Sequence, residues 1–238
     1  MRAGISSTFF SQREGLQIPD EGAFMLAVET YLDQLQAWPP SGRHILAQFD
    51  DESIVVYQAY RPSIGQWAVQ HGQLGGPDFS YSRMSWIKPN FLWMMYRSGW
   101  GTKEGQEVTL ALRLRRSFFD ELLEQAVEST FAAAGYASNE SWAAAVARST
   151  VRLQWDPDHD PHGHRQERRA IQLGVRGNML KRMGTESLLD VQDISALVSE
   201  QRRRLAVGLD QLELPRERVY APATADVRRR LGITNDPP

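Results

Sequence analysis

Apolar and polar positions along the chain mark out helices and strands in turn. From Glu21 the residues Phe24, Leu26, Val28, Tyr31, Leu32 and Leu35 recur at helical spacing, predicting an amphipathic helix over 21–38 that stops before Pro39-Pro40. Residues 1–20, polar and broken by Gly15 and Pro19, read as a loose arm. A strand is expected at 54–57 after the turn-forming Asp50-Asp51, then a helix over 62–70 opened by Pro62 and closed by Gly72. Strict alternation over 108–115 predicts a further strand. Ser117 is expected to cap a helix carrying Phe118, Phe119, Leu122, Leu123, Ala126, Val127 and Phe131 on one stripe, reaching to Gly135. Beyond it the pattern predicts a helix at 140–147 and strands at 151–155 and 170–175, parted by a charged loop over 156–169. The tail reads as largely helical. Together these elements predict one α+β domain, a mixed or antiparallel sheet flanked by helices. The pattern shows no internal repeat and no firm domain boundary.

Composition narrows the chemistry. The chain has no cysteine, which excludes disulfides, thiolate metal sites and a cysteine nucleophile. The apolar run Phe91-Leu92-Trp93-Met94-Met95-Tyr96 is stopped by Arg97, far short of the roughly 20 residues of a membrane span. No secretory signal opens the sequence, so a soluble cytoplasmic protein with no membrane partner is expected. Among 27 basic residues 24 are arginine and only Lys88, Lys103 and Lys181 are lysine. Arginine offers a planar fork for phosphate or carboxylate and stacks on rings. The net charge of −2 argues against a protein that coats nucleic acid nonspecifically.

The densest unusual chemistry lies between Tyr57 and Trp100. Gln58, Tyr60, Arg83, Ser85, Trp86, Lys88, Tyr96, Arg97 and Trp100 crowd there, and 83–100 alone holds three of the seven tryptophans. A short helix over 89–97 is expected within it, with Pro89 at its first position and Gly99 just past its end. Polar groups interleaved with large rings suit a pocket for a flat, charged molecule such as a nucleotide. Residue type on its own favours the other reading, a tryptophan-rich core whose basic side chains snorkel to the surface, since apolar residues at helical spacing are usually core. The segment from Asp156 to His164 gathers three histidines and three aspartates, which could hold a divalent metal or form a solvated loop; no metal is assigned. His71 beside Gly72 suits a helix end. The arginine triplets at 202–204 and 228–230 read as solvated helix faces. Phosphate-loop, dinucleotide-fingerprint, zincin and nucleophile-elbow motifs are all missing.

Several segments resemble one known family. They are Val56-Tyr57-Gln58-Ala59-Tyr60, the run from Arg83 to Pro89 continued by Phe91 to Trp100, Gln154-Trp155-Asp156-Pro157, Ile171-Gln172-Leu173-Gly174, and Pro215 to Tyr220. Together they resemble the domain of unknown function 4291 family, over about 45–220. That family is in turn similar to the ADP-ribosyltransferase superfamily and linked to bacterial ADP-ribosylation. The resemblance implies an ADP-ribosyltransferase-like fold and NAD as substrate, with a protein or nucleic-acid acceptor. Gln58 then stands where the superfamily carries His or Arg. Asp156 is the acid nearest to the place of its catalytic glutamate, so Gln58 and Asp156 are the catalytic candidates. Tyr57, Tyr60, Arg83, Trp86, Lys88, Tyr96, Arg97, Trp100 and Gln154 are the candidates for holding the dinucleotide. Two other functions fit the same residues: a non-enzymatic nucleotide or nucleic-acid binder, and a target of ADP-ribosylation modified on a surface aspartate.

Overall fold

The computed structural model describes residues 26–133 and 135–234, so the expected arm and the start of the helix from Glu21 lie outside the described residues. The described chain opens on strand β1 (Val28–Thr30) and helix α1 (Tyr31–Ala37), whose cap is Thr30. Within the described residues, the helix expected over 21–38 is therefore corrected to two turns over 31–37. Val28, Glu29 and Thr30 pair instead with Pro215, Leu214 and Glu213, partners too remote for local periodicity to reveal.

Strands β2 (Gly42–Arg43) and β3 (Ile45–Ala47) lead into β4 (Ser53–Tyr60). Helix α2 (Pro62–His71) has Pro62 in its first turn and Gly72 as a left-handed cap, φ 64°. The His71 ring meets the Trp67 carbonyl at 2.8 Å, at the helix end where imidazole is favourable. Strand β5 (Ser85–Ile87) and helix α3 (Phe91–Ser98) form the tryptophan-rich segment. This helix starts at Phe91 rather than Pro89, because Asn90 is its cap and accepts the Trp93 amide at 2.6 Å. Strand β6 (Val108–Arg115) lies where alternation places it.

Helix α4 (Arg116–Gln125) runs straight out of β6. Ser117 is in its first turn and does not cap it, and the helix stops ten residues before Gly135 because Val127 and Glu128 join a sheet as β7 (Val127–Glu128). Helix α5 (Asn139–Arg148) precedes β8 (Val151–His159) and β9 (Arg165–Val175). These two strands correct the expected charged loop over 156–169 to a long antiparallel hairpin. A buried ion pair closes it: Arg168 lies 2.6 Å from Asp158, the two side chains 5% and 1% exposed. The rest is helix α6 (Gly177–Gly184), β10 (Leu188–Asp193), helix α7 (Ser195–Leu205), β11 (Glu213–Pro215), β12 (Arg218–Tyr220) and helix α8 (Ala225–Arg230). The tail is thus strand as well as helix.

Two sheets position everything else. One has the antiparallel order β10-β6-β4; in the other, β9 pairs with β8 along one edge and with β2 and β5 along the other. A backbone bridge joins them: the Tyr57 amide donates to the Lys88 carbonyl at 2.7 Å, and the Lys88 amide donates back at 3.0 Å. The result is a curled, half-barrel arrangement in one α+β domain. Both faces of β4 are covered. Ile54 and Val56 join Leu110, Leu112 and the stripe of α4 in one core; Val55 and Tyr57 join α3, α7 and Leu214 in a second. Leucine and valine on one face and small Ala111 on the other explain how β6 packs both ways.

Candidate functional site

The β4–β5 bridge brings distant segments around one cleft of about 630 Å³. Strand β4 contributes Gln58 and Tyr60, the segment entering β5 contributes Arg83, β5 itself Trp86, its following residue Lys88, and α3 contributes Arg97. The floor comes from the hairpin, where Gln154 and Gln172 face each other in register and Asp156 lies two residues along from Gln154. Period-2 alternation keeps Gln154 and Asp156 on the cleft face while Leu153 and Trp155 enter the core.

The hydrogen bonds of the floor converge on one carboxylate. Gln154 donates from its Nε2 to Asp156 Oδ1 at 2.8 Å, and Gln172 donates to Oδ2 at 2.7 Å. Both oxygens are therefore held by amide N–H groups, which fixes the plane of the carboxylate. Gln154 accordingly positions Asp156, a role distinct from the ligand contact expected of it. On the wall, Gln58 donates to Ser85 Oγ at 3.1 Å and the Tyr60 hydroxyl meets the same oxygen at 2.7 Å. Burial pushes the Tyr60 hydroxyl up to about 12, with the hydrogen bonds to Ser85 and Gln58 opposing the shift. Arg83 and Arg97 form no ion pair among the described residues; the Arg97 guanidinium lies 6.0 Å from the Trp93 ring centre.

Lys88 is the most constrained charge in the cleft. It is 3% exposed, and its Nζ donates to the Trp86 carbonyl at 2.9 Å. Burial, helped by the nearby Arg97 charge, lowers its amine to about 7, while Asp156 pulls the other way.

Three expected ligand contacts do not reach this cleft. Tyr57 is fully buried on the opposite side of β4, edge-on to Phe91 at 5.4 Å, because alternation sends Tyr57 and Gln58 to opposite faces. Tyr96 and Trp100 line a second, smaller cavity of about 220 Å³, beside the turn from Asp160 to Gly163. Trp100 is committed there by an indole hydrogen bond to the Pro161 carbonyl at 3.3 Å, and Tyr96 by stacking on His159 with ring centres 3.6 Å apart. The Asp-His cluster supports the hairpin turn. Asp160 accepts the amides of His162 and His164 at 2.9 Å each, and Asp158 is spent on Arg168. No group of three or more His, Cys, Asp or Glu side chains comes together as a metal site among the described residues.

Sequence reasoning missed Gln172 and Trp93 as cleft residues. Gln172 carried a usable signal, since a hairpin over 151–175 would place a polar side chain opposite Gln154. Trp93 carried none, because within an apolar helical run nothing separates a cleft ring from a core ring.

The fold and this cleft define an α+β protein with a cationic, ring-walled pocket over a fixed carboxylate. The model of the family described as Domain of unknown function (DUF4291) matches residues 44–220, and the chain belongs to that family. No curated protein matches the chain. No helix among the described residues is long and apolar enough to cross a membrane.

Proposed function

We propose that this protein is an NAD-utilising, ADP-ribosyltransferase-like enzyme that transfers ADP-ribose to a protein or nucleic-acid acceptor. The observation that carries the reading is the pairing of one immobilised carboxylate, Asp156, with two guanidiniums, Arg83 and Arg97, that have no carboxylate partner among the described residues. Cleaving a nicotinamide–ribose bond develops positive charge on the ribose, and a fixed anion beside it stabilises that charge without reorganising during the reaction. Arg83 and Arg97 match the pyrophosphate, which a planar fork grips bidentately. Trp86 offers a stacking face, and Gln58 with Tyr60 and Ser85 forms a polar wall for ribose hydroxyls. The volume falls within the roughly 300–1,000 Å³ of small-molecule pockets.

The test is incubation with labelled NAD, following both nicotinamide release and label on added protein or nucleic acid. Release is expected, with a drop of about 100-fold or more in Asp156→Ala, as for loss of a preorganised electrostatic group. Arg83→Ala and Arg97→Ala should weaken NAD binding in protein that still melts cooperatively. No release and no thermal shift with NAD would overturn the reading. Binding to single-stranded nucleic acid with steep salt dependence would then favour a binding module.

A further inference from the structure

We propose that Lys88 is a nucleophilic amine, and that the cleft uses it to capture the carbonyl carbon of a phosphate-bearing carbonyl compound such as an open-chain sugar phosphate. The inference goes beyond the NAD reading and does not depend on it. Its first support is geometric. Lys88 has three donors as an ammonium, yet its Nζ meets one protein acceptor, the Trp86 carbonyl, and no carboxylate lies within ion-pair distance among the described residues. A cation this buried is ordinarily paired. The charged groups facing it are Arg97 from α3 and Asp156 from β8, while β4 meets it through the backbone of Tyr57. Desolvation next to a second cation is the arrangement that turns a lysine into a nucleophile at neutral pH. Arg97 and Arg83 also line the cavity, so a phosphate-bearing carbonyl compound would be drawn to the same place.

The chemistry balances with the residues and substrate alone. The Nζ lone pair of the neutral amine adds to the carbonyl carbon of the open-chain sugar, and the carbonyl π electrons move to oxygen. A proton passes from nitrogen to that oxygen, giving a carbinolamine. Loss of the hydroxyl with one proton, as water, leaves a C=N bond between Lys88 and the sugar. Water reverses each step, so the adduct is a reversible hold on the substrate.

Only three lysines exist in the chain, which makes the test internally controlled. The full-length protein is incubated with ribose 5-phosphate, or with ribose, and with sodium cyanoborohydride, which delivers hydride to the imine carbon and fixes the adduct. Peptide mass spectrometry then locates it. At pH 7 Lys88 is expected to label about tenfold faster than Lys103 or Lys181, its larger neutral fraction outweighing its lower intrinsic nucleophilicity. Ribose without phosphate should label it far less, and the labelling rate should rise with a midpoint near pH 7. Equal labelling of the three lysines, labelling confined to Lys103 and Lys181, or equal rates with and without phosphate would each overturn the proposal. Because positions are compared within the native protein, the result does not rest on a variant folding. A Lys88→Gln protein that retains its thermal transition should lose the fast adduct. The NAD experiment is separate, so failure of either reading leaves the other standing.

Discussion

Gly174 decides how closely the tryptophan-bearing segment lies on the cleft floor. A Cβ built there would stand 2.8 Å from Met84 Sδ, closer than side chains tolerate, and 3.0 Å from Trp86 Cε2, tight enough that the ring must give by a few tenths of an ångström. Met84 is flexible and can move away. Trp86 is held by the β5–β9 ladder, in which it pairs with Gly174 itself. The smallest possible side chain should therefore displace the indole outward, away from Asp156 and Arg97. Gly174→Ala is expected to cost about 1–3 kcal/mol through overpacking. It should weaken ligand binding in the cleft more than it weakens the fold. Denaturant unfolding read beside a nucleotide titration checks this, and unchanged affinity with the stability loss would show that Trp86 does not touch the ligand.

At the level of elements, α3 is anchored by a side chain from the far end of the chain. Glu217, 1% exposed, accepts the Phe91 amide on Oε1 at 2.6 Å and the Asn90 side-chain amide on Oε2 at 3.0 Å. The same residue ties down α1: its own amide donates to Gln34 Oε1 at 2.7 Å, and its carbonyl accepts the Trp38 indole at 3.0 Å. One residue thus couples the helix that walls the cleft to the N-terminal helix. Glu217→Gln would aim a donor at the Asn90 donor, and an unmade buried hydrogen bond costs about 1–3 kcal/mol. Adding Asn90→Asp restores complementarity, since aspartate can accept from glutamine and still accept the Trp93 amide. The double variant should recover a large part of the loss in thermal unfolding, whereas additive losses would refute the pairing. This contact also shows why parts of the fold were hidden in the sequence. Strand β6 and helix α2 were legible because alternation, Pro62 and Gly72 are local signals. The first helix was overextended because Val28–Thr30 is claimed by β11, and the charged, turn-rich residues of the hairpin concealed strands whose Asp158–Arg168 pair is buried only once the hairpin packs.

Over the whole molecule, the cleft draws on six segments between Gln58 and Gln172, so no single motif carries it. Residue type alone picked out Arg83, Trp86, Lys88 and Arg97, and alternation would have removed Tyr57 once β4 was placed. What residue type could not convey is that Lys88 is buried, a property of the β4–β5 bridge and α3 acting together. That burial reaches the stability of the entire chain. An unfolded lysine titrates near about 10.4, whereas the folded Lys88 amine is lowered to about 7. Between those values the unfolded state binds more protons than the folded one, so stability rises with pH across that window and the penalty is complete below it. Glu217 acts in the opposite sense at lower pH: burial raises its carboxyl well above the ordinary range, so its contribution falls as pH rises from about 4.5. Lys88→Met isolates the first effect. The variant should be more stable than the natural protein at pH 6, and that advantage should shrink by about 2–3 kcal/mol between pH 7 and pH 9, at about 1.4 kcal/mol per pH unit. Urea unfolding of both proteins across that range measures the gap directly. A gap that stays constant with pH would mean that Lys88 remains charged in the folded state, and the nucleophilic amine inferred for the cleft would fall with it.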